Sequence, residues 1–238
     1  MMIQAQLKDR ILKMVGKFEG SANGTINAWD EQYLSVGTLQ YAVKGGSGVK
    51  FLTRIYQLDG AGYLACLGEE FTAATKAGPD ALRTFCRNRV WKQAVRWQRC
   101  FTRLSKMAAY AQADEECAVS YFQMGEKIAE RYHLTSERGL AFAVDRCVQQ
   151  GGAVRSEVEK AYRALDLPVP EFIIMKALSN AYAESANPRY TEVVRQRALT
   201  VALGRSTGTS EHDQGTGYPG DIDLLRDYGI RPDAAWDV

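Results

Sequence analysis

The chain has 238 residues, 46% of them hydrophobic, and 30 Lys and Arg against 28 Asp and Glu leave a formal net charge of +2. A chain of that length buries a sizeable core, and so balanced a charge argues against one built throughout for nucleic acid. The two histidines, His133 and His212, stand in separate contexts with no His-x-x-x-His, no Cys-x-x-Cys and no phosphate-loop pattern, which excludes the usual metal and nucleotide sites.

Residues 1–10 carry no apolar stretch long enough for a signal peptide or a membrane span, so the chain reads as one made in the cytoplasm. Leu7, Ile11, Met14, Val15 and Phe18 recur at three-and-four spacing and predict an amphipathic first helix. Counting in fours through Leu7, Ile11 and Val15 reaches Glu19, which closes that helix at the edge of the core. Gly20-Ser21-Ala22-Asn23-Gly24 has the composition of a stop and turn. Thr25 to Tyr41, rich in Thr, Tyr, Val, Ile and Trp, then predicts a small antiparallel sheet, the β-rich segment covering about 24–42. Gly45-Gly46-Ser47-Gly48 turns into a helix. From Leu82 to Tyr162, Phe85, Val90, Trp91, Val95, Trp97 and Phe101 punctuate Arg and Lys, and no Pro falls between Pro79 and Pro168, which predicts successive helices. Leu167-Pro168-Val169-Pro170 breaks the pattern and Glu171 to Glu184 resumes it. The five cysteines, Cys66, Cys86, Cys100, Cys117 and Cys147, are odd in number and scattered mostly in helices, so they read as core-filling free thiols. The whole, 1–238, reads as a single domain of the α+β class, mainly helical.

The break after Glu19 gives its carboxyl a context. A hairpin folded back from the helix end carries Asp30 across a groove from Glu19. Burial at the core's edge raises a carboxyl pKa, as a general acid near neutral pH requires. An inverting glycosidase needs its two carboxyl groups about 6.5–9.5 Å apart, so that a water fits between base and sugar. Ser35, five residues after Asp30, is placed to turn its hydroxyl toward that water, and Gly37 to let a sugar ring approach the backbone.

These residues carry a resemblance. Glu19 ending a first helix, then Asp30, Ser35 and Gly37 in a hairpin, then the glycine-rich turn into a helix, resembles the lysozyme-like superfamily, within it the family 46 chitosanases and related peptidoglycan-cleaving domains. The run Ser35-Val36-Gly37-Thr38-Leu39-Gln40-Tyr41 resembles the small-x-Gly-x-Leu-Gln-aromatic run of bacterial and phage lysozyme-like domains. Leu140 to Gly152 resembles their central buried helix, Arg195 to Gly204 their late helix, and Asp221-Ile222-Asp223-Leu224 with Tyr228-Gly229-Ile230 their closing segment. The resemblance implies a two-lobed lysozyme-like fold with Glu19 as general acid, Asp30 as general base and Ser35 holding the attacking water. Tyr33, Gln40 and Tyr41 are then expected to line sugar subsites, and Arg197 to face Glu19 or Asp30 and tune its charge. The Glu19-to-Asp30 spacing is shorter than in typical chitosanases and Ser stands where Thr is commoner. Adjacent Glu31 therefore stays open as the base. No metal or organic cofactor is implied.

Arg83, Arg87, Arg89, Lys92, Arg96, Arg99 and Arg103 are interleaved with Trp91 and Trp97. Nucleic acid is one reading of such a segment. Helical spacing and a net charge of only +2 favour a solvated face over a core, and a cationic wall also suits an anionic cell-wall polymer. Chitosan is polycationic and calls for carboxylates in a cleft, whereas peptidoglycan carries carboxylates that prefer basic surroundings. The expected partner is therefore peptidoglycan, with chitosan as rival substrate and a non-catalytic wall-binding domain as the more distant rival. A wall-cutting enzyme without a signal reaches its substrate as a phage lysin, in a phage tail or as secretion-system cargo, where an immunity protein plugging the cleft is expected. No membrane contact is expected, and nothing demands more than a monomer.

Overall fold

The structure, a computed structural model, describes residues 3–20, 24–28, 31–152, 154–206 and 222–236. In chain order its elements are α1 (Ala5–Glu19), β1 (Ser35–Val36), β2 (Tyr41–Ala42), α2 (Ser47–Leu58), α3 (Gly60–Lys76) and α4 (Pro79–Phe85). A π-helical turn (Cys86–Val90) and a 3-10 turn (Trp91–Gln93) lead into α5 (Ala94–Leu104), followed by α6 (Ala108–Arg131), α7 (Glu137–Gln150), α8 (Ser156–Arg163), α9 (Glu171–Glu184), α10 (Thr191–Leu203) and α11 (Leu224–Tyr228). Among the described residues the chain is mainly helical with one small antiparallel sheet, as its patterning predicts. Contacts divide it into two compact units, Met1–Phe18 with Ser120–Val238, and Glu19–Val119.

In the first of these units the predicted stripe Leu7, Ile11, Met14, Val15 and Phe18 is buried. Helix α7 forms the centre. Leu140, Ala141, Phe142, Ala143 and Val144 are all fully buried, so the helix is covered on every side, not on one stripe. Its start is fixed by the Ser136 hydroxyl, which accepts from Gly139 N–H at 2.9 Å and donates to Glu171 at 2.6 Å. Its end is the left-handed Gly151. Helix α10 packs on α7 and α9, and α8 on α9. Gly125 of α6 lies against α7 so closely that a Cβ there would come within 3.1 Å of the Val144 backbone. At the first turn of α7, nearly buried Glu137 accepts from Arg231 N–H at 2.9 Å and from Arg10 at 3.2 Å. Burial works against that charge, but the Arg231 and Arg10 contacts outweigh it and hold the carboxyl below its ordinary range.

The Glu19–Val119 unit is built on two aromatic clusters. Phe71, Phe85, Trp97 and Phe101 meet edge-to-face or tilted, with Phe71 5.3 Å from Trp97 and 5.8 Å from Phe101. Phe51 of α2 stacks on Tyr41 at 5.0 Å and meets Tyr110 edge-on at 4.9 Å, fixing the hairpin to α2 and to the start of α6. Helix α3 packs on α5 and is broken at Gly68 (φ 79°, ψ 171°), whose carbonyl accepts from the Thr72 hydroxyl at 2.7 Å.

Candidate active site on the hairpin

Helix α1 ends at Glu19, where the spacing places it, and the side chain is half-buried. Asp30, the expected general base, and Trp29 lie outside the described residues. Glu31, next to Asp30 in sequence, is exposed. Its carboxylate meets Arg83 at 2.9 Å and Lys44 at 3.3 Å, and its carbonyl accepts from Arg83 at 3.0 Å. Glu31 and Tyr33 both hold positive φ, at 60° and 61°, so the chain enters the hairpin through a tight loop pinned at Glu31. Half-buried Tyr33 lines a small polar cavity with Asp80, Arg83, Thr84 and Arg87.

Ser35 is the best-fixed of the expected catalytic residues. Its backbone exchanges hydrogen bonds with Thr25 at 2.8 and 3.0 Å on one side and pairs with Ala42 of β2 on the other. It therefore occupies a middle-strand position that its neighbours over-determine. The register puts Val36 opposite Tyr41 and buries both. The intervening turn is closed by Gln40, which donates from its backbone and its side chain to the Gly37 carbonyl at 3.1 and 3.2 Å.

Two of the expected sugar-lining residues are held in the packing beneath the hairpin. Tyr41 is 3% exposed, stacked on Phe51, with its hydroxyl donating to the Asp114 carbonyl at 3.3 Å. It is a core residue, because the register turns its ring inward. At Gly37 (φ 82°) a Cβ would lie 2.5 Å from the Tyr41 ring and 3.0 Å from the Asp114 carboxylate. Gly37→Ala is expected to destabilise the protein by about 2–3 kcal/mol, from overpacking and a strained left-handed backbone. Urea unfolding of the variant checks this.

Helix α6 supplies the support that sequence reading misses. Tyr110 accepts from Gly37 N–H at 2.8 Å, and the Asp114 carboxylate accepts from Thr38 N–H at 3.1 Å. Burial pushes the Asp114 carboxyl up, partly offset by its Thr38 hydrogen bonds. No spacing rule links Thr38 to a residue so distant in sequence.

In the other unit, Arg197 is 5% exposed and donates twice to Asp145 Oδ1, at 2.9 and 2.7 Å, with its guanidinium 5.1 Å over the Phe18 ring. Arg146 binds the other oxygen of the same carboxylate and Gln149 at 2.6 Å. Burial disfavours the Asp145 charge, yet the Arg197 and Arg146 guanidiniums hold its pKa below the ordinary value. The sequence does mark this cluster, since Asp145-Arg146 is a charged pair inside an otherwise apolar run, but the partner on α10 is not readable from it.

No family model matches the chain, and no curated protein matches it in sequence. Solved structures do. A native chitosanase from Bacillus subtilis superposes with a TM-score of 0.59 at 12% identity, over 85% of this chain and 88% of that one. A family 46 chitosanase from Gynuella sunshinyii, in complex with chitotetraose, gives 0.58 at 12% identity over the same shares, 85% and 88%. A mutant of the Bacillus subtilis enzyme, complexed with 6 glucosamine units, gives 0.54. The chain thus has the lysozyme-like fold on which the family 46 chitosanases are built.

Proposed function

We propose that this protein is a glycoside hydrolase that cleaves the glycan strand of peptidoglycan by an inverting mechanism. Glu19 protonates the leaving oxygen, Asp30 activates water on the opposite face, and Ser35 holds that water. Tyr33 and Gln40 flank the sugar. The observation that carries the reading is the half-buried Glu19 at the end of α1, followed by a hairpin that fixes Ser35 from both sides, on a fold shared with glycan-cleaving enzymes.

Peptidoglycan is favoured by charge. From Pro79 to Ala113 the chain carries Arg83, Arg87, Arg89, Lys92, Arg96, Arg99, Arg103 and Lys106 against the single acidic residue Asp80. A polycation such as chitosan is repelled by that surface, and a polymer bearing carboxylates is drawn to it. The second reading, a chitosanase with the same residues in the same roles, is favoured by the similar structures that hold chitotetraose and glucosamine units.

Digestion of purified peptidoglycan and of chitosan in parallel, with mass spectrometry of the products, separates the two. Muropeptides with a newly freed reducing sugar support the first reading, chitosan oligomers alone the second, and no release from either moves the protein to a binding role. A retained anomer in the first product rules out direct displacement by water. The choice of base is tested at the neighbouring positions. Asp30→Asn is expected to cut turnover at least about a hundredfold. Glu31→Gln should stay within about fivefold of the parent, the scale of an exposed ion pair. The reverse order makes Glu31 the base.

A further inference from the structure

A groove of about 560 Å3 runs between α3 and α5, and among the described residues none of the hairpin lines it. Arg96, Arg99 and Arg103 stand along its α5 side and Leu64 and Leu67 along its α3 side, with nearly buried Trp97 completing the wall. Among the described residues no carboxylate lines this groove. Arg96 donates to Gln93 at 3.0 Å, and Arg103 reaches the Cys66 carbonyl at 3.4 Å. Among the described residues none of the three guanidiniums has an ion-pair partner. The adjoining cavity shares Leu67, Gly68, Arg96 and Trp97 but is lined by Glu69 and Glu70 as well as Arg89, so the excess of positive charge belongs to the first groove.

Three like charges held on one helix face repel each other, and an anion between them removes that repulsion. Arg96 to Arg103 spans roughly 10 Å along the helix axis, about one disaccharide of a β-1,4-linked chain. The apolar wall opposite suits the faces of sugar rings, which a fully solvated phosphate backbone does not offer.

We propose that this groove is a second, non-catalytic site that grips the carboxylate-bearing glycan of peptidoglycan and holds the polymer while the hairpin cuts it. The proposal rests on the peptidoglycan reading above. Nearer the hairpin, Arg87 and Arg83 line the small cavity that holds Tyr33.

The test is co-sedimentation of the full chain, carrying Glu19→Gln to prevent digestion, with peptidoglycan sacculi and with sacculi whose carboxylates have been amidated. Binding is expected to weaken roughly fivefold or more on amidation, and equally on introducing Arg96→Gln with Arg99→Gln. In the parent background that double variant should raise KM for intact sacculi and leave kcat on short soluble glycan fragments unchanged. Parent-like binding by the double variant, or indifference to amidation, overturns the proposal. Failure of the peptidoglycan reading shows up separately, as turnover of chitosan alone by the parent.

Discussion

Glu19→Gln is expected to lower turnover of the glycan by about 10²- to 10⁴-fold with the fold intact, the size of effect that a positioned general acid supplies. The substitution is nearly isosteric and sits at the last residue of α1, half-buried and followed by Gly20, so it keeps the volume and the polar character of the side chain. An amide cannot give up a proton to a departing sugar oxygen. The loss should therefore shrink for a substrate whose leaving group is already stable as an anion, such as an aryl glycoside with a strongly acidic phenol. Kinetics on both substrates, alongside thermal unfolding of the variant, separate an acid from a structural residue. Activity within tenfold of the parent on the natural polymer would remove Glu19 from the mechanism. An equal loss on both substrates would keep it in the site but end its role as proton donor.

How far that site could be read in advance follows from what kind of contact each residue makes. Glu19 was legible because a stripe of local periodicity, Leu7 to Phe18, carries the count forward to it. The hairpin was legible because its β-forming residues lie between two glycine-rich breaks. What local pattern does not contain is which face of a two-residue strand turns inward. That depends on the pairing of Val36 with Tyr41 and on Phe51 and Tyr110 waiting on the inner side. That pairing puts Tyr41 in the core and leaves Gly37 no room for a Cβ. The Asp114 and Tyr110 anchors were invisible for the same reason, since a buried carboxylate reaching Thr38 across the sequence leaves no period behind. On the late helix, Arg197 stood out by its place in a familiar run. Its partner Asp145 is chosen by the packing of α10 on α7, which only the folded chain displays.

That partner is where the largest loss of stability is expected. Asp145→Asn should cost about 3–5 kcal/mol, the range for breaking a buried ion pair from one side, which corresponds to roughly 6–20 °C in Tm for a chain of this size. One fully buried carboxylate is shared by Arg197 and Arg146, and its removal leaves two guanidiniums in the core without that counter-charge. The pH dependence has a definite sign. Because the folded pKa of Asp145 is depressed, its contribution is fully present above the unfolded value of about 3.9 and is lost as pH falls through the folded value. Urea unfolding should thus show a constant gap between parent and variant from neutral pH down to about pH 5, narrowing below about pH 4. A gap that instead narrows towards neutral pH would mean that another group carries the effect. Replacing the whole cluster by apolar side chains of similar volume, Asp145→Leu with Arg146→Leu and Arg197→Met, should recover most of the lost stability, since the penalty lies in stranded charge and not in the loss of a strong bond. If that triple variant is stable yet inactive on the glycan, the cluster is kept for the reaction. If it is stable and fully active, the charges serve neither purpose.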